Sequence, residues 1–160
     1  MTEDGTFGDD PVDALSVAKR TSLSPGGLAT LVDVPVRNAP DKPGRSVQVM
    51  WDDRSPFVPG FENTYSYTVT FSAKGNAAGN HFHKLKNEIF VPLAGSMRIV
   101  LADIDSRSRE EFSLGAGDNR IACVRAGIAH AVVAETDVAI LFVLADHPNL
   151  QADESLYTLV

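Results

Sequence analysis

Two histidines two positions apart, followed five positions later by a glutamate, constrain the fold of this chain more than any other feature. The residues are His81, His83 and Glu88, within a segment that runs from Gly75 to Gly95. In a β-strand, alternate side chains point to the same face, so the two histidines lie side by side. A short turn then brings Glu88, at the start of the next strand, back beside them. The segment therefore predicts a strand, a turn and a second strand that together place two imidazoles and one carboxylate on one face.

Two imidazoles and one carboxylate are a typical ligand set for a transition-metal ion. His130, which follows Gly127, is the natural fourth ligand from a distant strand. We therefore predict a divalent metal site formed by four side chains: His81, His83, Glu88 and His130. A site of this kind accepts zinc, iron, manganese or nickel, and its open coordination positions suit catalysis.

The spacing of these residues resembles the motifs of the cupin superfamily. The first cupin motif is matched at every fixed position: Gly75, His81, His83, Glu88 and Gly95. The second motif is matched at Gly127 and His130, whereas Arg125 stands in place of its proline and Ala134 in place of its asparagine. The resemblance spans residues 65–144 and implies an all-β cupin jelly roll.

A longer stretch resembles one kind of cupin more closely. The segment Gly79-Asn-His-Phe-His-Lys-Leu-Lys-Asn-Glu88 is similar to part of the zinc-binding cupin domain of capsular-polysaccharide UDP-sugar reductase/epimerases. The tail, Val143 to Val160, resembles the end of that domain and, less closely, that of dTDP-4-keto-6-deoxyglucose ketoisomerases. Both families act on ketosugars attached to a nucleotide. The resemblance implies an epimerase or isomerase in which Glu88 or His130 carries a proton and a metal polarises the neighbouring carbonyl.

Two other functions are compatible with the same four ligands. A metal-dependent dioxygenase would hold iron with three histidines and one glutamate, and a non-catalytic cupin would bind a small molecule beside a structural metal. Some cupins that act on nucleotide sugars keep the His-x-His pair but bind no metal and use a histidine as a base. An epimerase exchanges solvent deuterium into a ketosugar, a dioxygenase consumes oxygen, and a binding module does neither.

Three further side chains are candidate substrate contacts: Tyr67, Arg98 and Arg125. Arg98 lies on a hairpin strand, where it either points into the barrel toward an anion or faces solvent. Arg125 either contacts substrate or lies at the rim. Tyr67 is expected to pack in the barrel, although a tyrosine at a barrel mouth can also donate a proton. Lys84 and Lys86 are expected to be exposed charges in the turn after the histidines.

The pattern of short apolar runs separated by turns predicts an all-β fold from Tyr65 onward. We expect a single antiparallel cupin β-barrel of jelly-roll order in residues 25–160, preceded by an irregular, flexible segment in residues 1–24. Within that segment, Asp13 to Lys19 forms either a short helix or no regular structure. The apolar stretch Leu28 to Val36 is expected to be an edge strand.

Composition and charge limit the partners of the chain. Its 160 residues, 44% hydrophobic and 22% charged, are typical of one soluble domain, and a net charge of −7 argues against nucleic acid. No apolar run approaches the ~20 residues of a membrane span. The acidic start and the single Cys123, expected to be a buried filler, favour a cytoplasmic location. The expected partners are a small molecule, with a nucleotide sugar as the candidate, and a second copy in a homodimer that covers an edge strand.

Overall fold

The structure, a computed structural model, describes residues 20–38, 43–51 and 58–160. These residues form strands and no α-helix, and none of their segments is a helix long and apolar enough to cross a membrane. The strands are β1 (Thr21–Leu23), β2 (Ala29–Asp33), β3 (Val36–Asn38), β4 (Ser46–Gln48), β5 (Tyr65–Phe71), β6 (Ala77–His83), β7 (Glu88–Ala94), β8 (Ser96–Asp103), β9 (Arg109–Gly115), β10 (Arg120–Val124), β11 (Ile128–Ala134), β12 (Ala139–Ala145) and β13 (Glu154–Leu156). The helix considered for Asp13 to Lys19 lies outside the described residues.

Two antiparallel sheets make up the fold. One has the strand order β1-β2-β10-β7-β12-β5 and the other the order β13-β6-β11-β8-β9. From β5 to β12 the chain crosses between the sheets at every connection except the β8–β9 hairpin, which confirms the predicted jelly-roll order. The expected closure into a barrel is not found, because no backbone pairing joins the edges of these two sheets within the described ranges. The predicted homodimer stays a prediction.

The stretch Leu28 to Val36 is not an edge strand. Its central part, β2, lies between β1 and β10, so that β1 forms this edge of the sheet. Apolar residues alternate across β2: Leu31 faces the space between the sheets, whereas Val32 packs on the outer face of the six-stranded sheet. Burial on both faces explains why an interior strand reads as a continuous apolar run.

The hydrophobic core has three layers: one between the two sheets and one on the outer face of each sheet, where other chain segments cover it. In β8, Met97, Ile99 and Leu101 face the other sheet. Val100 faces outward, where it is covered by Leu159 from the C-terminal segment. Burial of one such large side chain stabilises the fold by about 1.5–3 kcal/mol. The C-terminal segment is therefore part of the core of the five-stranded sheet.

A β-bulge in β6 aims the two histidines inward. Gly79 and Asn80 both have positive φ angles, 93° and 63°, and the register with β11 shifts at His130. A Cβ atom at Gly79 would lie 2.6 Å from the backbone oxygen of His130, so glycine is required there. The extra residue lets Ala78 and His81 both reach the interior although they are an odd number of positions apart.

Candidate metal centre

Three histidines from neighbouring strands meet on the inner face of the five-stranded sheet. His81 and His83 lie on β6, and His130 lies on β11 directly opposite His81. Their candidate ligand nitrogens all lie within 4.8 Å of one another, and the Nε2 atoms of His81 and His130 are 3.1 Å apart. The strand alternation expected from the sequence therefore brings these three side chains together.

Glu88 joins the cluster from the opposite sheet. It begins β7 and is only 1% exposed, with Oε2 lying 3.2 Å from His130 Nε2 and Oε1 lying 3.7 Å from His83 Nε2. Burial raises the pKa of the Glu88 carboxyl, and a 3.0 Å hydrogen bond donated by the Tyr67 hydroxyl to Oε1 opposes this rise. Glu88 thus lies beside His83 and His130, whereas the group of described residues whose ligand atoms all lie within 4.8 Å of one another contains only the three histidines. The role of all four side chains as ligands stays a prediction.

The other ring nitrogen of each clustered histidine, Nδ1, faces a carboxylate or carbonyl oxygen. Such an oxygen accepts a hydrogen bond and does not donate one. These contacts are His83 Nδ1 to Asp153 Oδ2 at 3.3 Å, His81 Nδ1 to Glu154 Oε1 at 3.5 Å, and His130 Nδ1 to the Ile128 carbonyl oxygen at 3.3 Å. Such surroundings favour the tautomer that carries its proton on Nδ1. The lone pair of each Nε2 then faces the cluster.

This arrangement fits a bound cation. The Nε2 atoms of His81 and His130 can form a hydrogen bond if one of them is protonated, but with both unprotonated the 3.1 Å contact is repulsive unless a positive charge lies near both. The buried side-chain atoms without a hydrogen-bond partner among the described residues also belong to this site: His83 Nδ1, Glu88 Oε2 and Asp153 Oδ2. Buried polar atoms in folded proteins are normally satisfied, so Glu88 Oε2, which faces the histidine cluster, marks a place where a ligand is expected. His83 Nδ1 and Asp153 Oδ2 instead face each other at the other edge of the His83 ring. Imidazole nitrogens and a carboxylate oxygen suit a divalent transition metal.

Lys86 is a buried member of the surroundings, which corrects the expectation that it is an exposed turn charge. It is 3% exposed, and its Nζ donates to Asn149 Oδ1 at 3.4 Å. After burial, its charge is the next cause that lowers the pKa of His83. Lys86 is a fixed position of the resembled capsular-enzyme segment, which is the signal that could have identified it. Three carboxylates contact the clustered histidines: Glu88, Asp153 and Glu154. When they are ionised, their negative charge exceeds the single positive charge of Lys86, and a divalent cation would balance the difference.

A cavity of about 200 Å³ lies between the sheets and ends at the cluster. Tyr67, His81 and His130 supply its polar groups. The rest of the lining is apolar or glycine: Val69, Ala78, Gly79, Phe90, Val132, Leu141 and Val143. No charged side chain of the described residues lines it, so it suits a small group with apolar faces and polar substituents at one end.

Two of the predicted substrate contacts lie away from this cavity. Arg98 is on the outer face of the five-stranded sheet, because its neighbours Met97 and Ile99 face inward, and it forms a 2.8 Å ion pair with Glu111. Arg125 is exposed, in the turn between β10 and β11. We therefore leave both arginines out of the proposed site, whereas Tyr67 lines the cavity as expected.

Cys123 is buried on β10, as predicted. Burial raises the pKa of its thiol to about 12, so the thiolate that acts as a nucleophile is scarce at neutral pH.

The histidine cluster makes the metal-free protein sensitive to acid. Burial, with the Lys86 charge, lowers the pKa of His83 to about 3, and burial lowers that of His130 to about 4, from 6.5. Between 6.5 and these values the unfolded chain binds protons that the folded chain does not, so stability falls as pH falls. We expect the free energy of unfolding to drop by up to about 1.4 kcal/mol per pH unit for each of the two imidazoles. The raised pKa of Glu88 has the opposite effect, because the folded chain then binds a proton more readily than the unfolded chain and gains stability as pH falls.

Urea unfolding of the metal-free protein at a series of pH values between 6.5 and 5 measures this dependence. Most exposed carboxylates remain ionised in that range, so the slope reports mainly on the buried histidines. A free energy of unfolding that stays constant or rises on acidification would show that the imidazoles are not held neutral by the fold.

Several solved structures with the same fold are named as sugar epimerases or ketoisomerases. The dTDP-4-dehydrorhamnose 3,5-epimerase of Bacillus anthracis shares 15% identity, with 87% of this chain and 83% of that chain covered and a TM-score of 0.75. The 4-keto-6-deoxy sugar epimerase of the Streptomyces spheroides novobiocin cluster shares 17%, with 87% and 73% covered and a TM-score of 0.72. A sugar 3,4-ketoisomerase of Thermoanaerobacterium thermosaccharolyticum, solved with TDP, shares 18%, with 80% and 87% covered and a TM-score of 0.67. The TM-scores establish a common fold.

The jelly roll and the clustered motif residues define this chain as a cupin-fold protein, as the sequence resemblance implied. A family model described as the polysaccharide biosynthesis C-terminal domain matches residues 52–154, well over half of the chain. The chain belongs to this family. A sequence search of curated proteins gave no match.

Proposed function

We propose that this chain is a metal-dependent epimerase or isomerase that acts on a ketosugar carried by a nucleotide. The observation that carries the proposal is the cluster of three imidazoles, with a buried carboxylate beside it, at the end of an apolar cavity. The ketosugar class is supported by the family description and by the names of proteins with the same fold. These names describe epimerases and ketoisomerases of nucleotide-linked sugars.

The cavity supports recognition of the sugar rather than the whole nucleotide sugar. Its volume of about 200 Å³ is below the ~300–1,000 Å³ of pockets that enclose drug-sized ligands. Its apolar walls suit the C–H faces of a sugar ring, and its polar end suits a carbonyl group. The charged phosphates would be poorly solvated between these walls, so the nucleotide would lie outside the cavity.

Four side chains would hold the metal: His81, His83 and His130 through Nε2, and Glu88 through Oε2. A bound zinc, iron, manganese or nickel ion polarises a carbonyl and stabilises the negative charge that develops on its oxygen. The buried imidazoles are neutral at physiological pH because burial lowers their pKa values, so their lone pairs are available for coordination.

Tyr67 and Glu88 form the proposed proton path. Burial, followed by the Glu88 charge, raises the pKa of the Tyr67 phenol, which therefore keeps its proton at neutral pH. As a C–H bond next to the carbonyl breaks, its electron pair moves toward the carbonyl oxygen and gives an enolate. The substrate proton passes to the phenol oxygen while the phenol proton moves to Glu88 Oε1. Reversal of these transfers at the other face, or at a neighbouring position, completes an epimerisation or isomerisation.

His130, the other residue predicted to carry a proton, is better suited to hold the metal. Its Nε2 faces His81 and Glu88, and its Nδ1 faces the Ile128 carbonyl oxygen. Neither nitrogen is free to exchange a proton with a substrate carbon. The catalytic role of His130 stays a prediction.

Solvent-deuterium exchange tests the proposed function. Zinc-loaded, iron-loaded and manganese-loaded protein would be incubated in deuterated water with a panel of nucleotide-linked 4-ketosugars, and the sugars analysed by mass spectrometry and NMR. We expect deuterium at a carbon next to the carbonyl in at least one substrate, without oxygen consumption. Oxygen uptake by the iron-loaded protein, with no exchange in any ketosugar, would instead favour a dioxygenase.

Substitution of Tyr67 by phenylalanine separates proton transfer from metal binding. Tyr67→Phe removes the phenol that lines the cavity and leaves the four metal ligands in place. We expect the exchange rate to fall by ~10²–10⁴-fold, the usual contribution of general acid–base catalysis, while zinc affinity changes little. Exchange is measured by mass spectrometry and zinc affinity by competition with a chromogenic chelator.

Tyr65→Phe is the matched control for this variant. The ring of Tyr65 lies 5.4 Å from that of Tyr67, and the same hydroxyl group is removed, but Glu88 keeps its donor. We expect near-parental exchange. Equal rates in Tyr67→Phe and the parent protein would exclude the phenol from the proton path.

A further inference from the structure

The C-terminal segment lies directly against the strand that carries two of the clustered histidines. Strand β13 pairs with β6 in antiparallel register, with Glu154 opposite His83 and Leu156 opposite His81. The segment is anchored beyond β13 as well, because the Asn80 side-chain oxygen accepts hydrogen bonds from the backbone of Leu159 and Val160, at 2.7 and 3.0 Å. Its docking therefore uses the residue that forms the bulge before His81.

Asp153, the residue just before β13, connects this segment to the cluster. Its Oδ1 accepts hydrogen bonds from the backbone N–H groups of Lys84 and Leu85, at 3.0 and 2.7 Å. These bonds fix the orientation of the carboxylate and turn its Oδ2 toward His83 Nδ1, 3.3 Å away. Both side chains are buried, and neither facing atom has a hydrogen-bond partner within the described part of the chain, so their 3.3 Å contact is close but falls short of hydrogen-bond geometry. The two atoms attract rather than repel each other only if Nδ1 carries the proton.

We propose that Asp153 is a positioning residue that holds His83 in the tautomer protonated on Nδ1, so that its Nε2 lone pair faces the cluster only when the C-terminal segment is docked. Glu154 makes a weaker version of the same contact with His81, since the atoms are 3.5 Å apart and the carboxylate is 39% exposed. A carboxylate behind a ligating imidazole is a common means of fixing its tautomer and orientation. The effect on metal affinity rests on the proposed function, whereas the tautomer does not.

Asp153→Asn reverses the polarity of this contact without changing the size of the side chain. The backbone N–H groups of Lys84 and Leu85 require an acceptor, so the amide oxygen takes the place of Oδ1. The amide nitrogen then faces His83 Nδ1 and presents a donor to it. The ring is expected to move its proton to Nε2, and a protonated Nε2 cannot bind a metal.

Nitrogen NMR of the metal-free protein tests the proposal. Long-range proton–nitrogen correlation spectra of the ¹⁵N-labelled full chain at neutral pH distinguish the two tautomers of a neutral imidazole. We expect His83 protonated on Nδ1 in the parent protein and on Nε2 in Asp153→Asn. Zinc affinity, measured by chelator competition, is expected to fall by ~10–100-fold in the variant, as for other partners of metal-binding histidines.

Asp146→Asn is the matched control. Asp146 also has a largely buried carboxylate, 8% exposed, which accepts two hydrogen bonds from Asn87, but it does not contact the clustered histidines. We expect this variant to keep the parental tautomers and zinc affinity, so that a change confined to Asp153→Asn is not a general effect of losing a buried charge.

Three results have distinct meanings. A parent protein with His83 protonated on Nε2 overturns the proposal, even if the variant does not fold. An unchanged tautomer in folded Asp153→Asn also overturns it. A tautomer that switches as expected, in a protein that binds no zinc in either form, supports the positioning role of Asp153 and refutes the proposed metal function.

Discussion

Glu88→Gln is expected to lower deuterium exchange into a ketosugar by ~10²–10⁴-fold, the scale of a lost general acid–base group. The amide cannot accept a proton from the Tyr67 phenol, and it is a poor metal ligand. The fold should tolerate the change, because glutamine has nearly the same volume and its amide can donate to His130 Nε2, the neighbour of Oε2 at 3.2 Å. The substitution also removes a buried charge that accepts a hydrogen bond from the Tyr67 hydroxyl but, among the described residues, from no cation. We therefore expect metal-free Glu88→Gln to be as stable as the parent, or more stable.

Glu110→Gln is a control for which we expect the opposite result: lower stability and unchanged deuterium exchange. Glu110 is a second buried carboxylate, 9% exposed, and it accepts hydrogen bonds from the Ser24 hydroxyl at 2.5 Å and the Leu28 backbone at 2.8 Å, and from Gly26. An amide nitrogen there would face donors, so we expect a loss of about 1–3 kcal/mol in stability with near-parental exchange. Exchange assays and urea unfolding of both variants measure the two effects. Full exchange activity in Glu88→Gln would contradict the proposed proton path.

The sequence was sufficient to predict the four clustered side chains because their positions follow from local rules. His81 and His83 share a face through strand alternation, Glu88 follows a short turn, and His130 lies in the second motif. The bulge at Gly79 preserves this arrangement by adding one residue before His81. The pattern of short strands predicts an all-β sandwich or barrel, and the resemblance to cupins implies its jelly-roll order.

The contacts that surround the cluster could not be predicted, because they depend on distant parts of the chain. Asp153 meets His83 only after the tail pairs with β6, and a pair of acidic residues near a C-terminus is otherwise an ordinary surface feature. Lys86 appeared to be an exposed turn residue, but Asn149 and its surroundings bury it. The direction of Arg98 is ambiguous in the sequence because β8 has apolar residues on both faces. Its outward-facing Val100 and Ala102 pack in a cluster that includes Leu159 and Tyr157 from the C-terminal segment.

His81→Ala is expected to remove most of the bound metal. The substitution deletes one of the four ligands, so the loss of affinity should exceed the ~10–100-fold that follows from changing a partner of a ligand. His81 borders the cavity and is 17% exposed, so water can occupy the space that it leaves. His83→Ala should lose metal and also stability, because Asp153 Oδ2 would remain buried without its neighbour. Elemental analysis after dialysis, together with thermal unfolding, measures both quantities.

His147→Ala is the control for the ligand variants because His147 is the fourth histidine of the chain and lies outside the cluster. Its side chain is half-buried, 45% exposed, and contacts Asp146 at 2.9 Å, so its loss should change neither metal content nor stability appreciably. Metal bound through adventitious surface histidines would instead decrease in this variant. Stoichiometric metal in both His81→Ala and His83→Ala would refute the proposed centre. Metal lost from these two variants and retained in His147→Ala would locate it at the convergence of β6, β7 and β11.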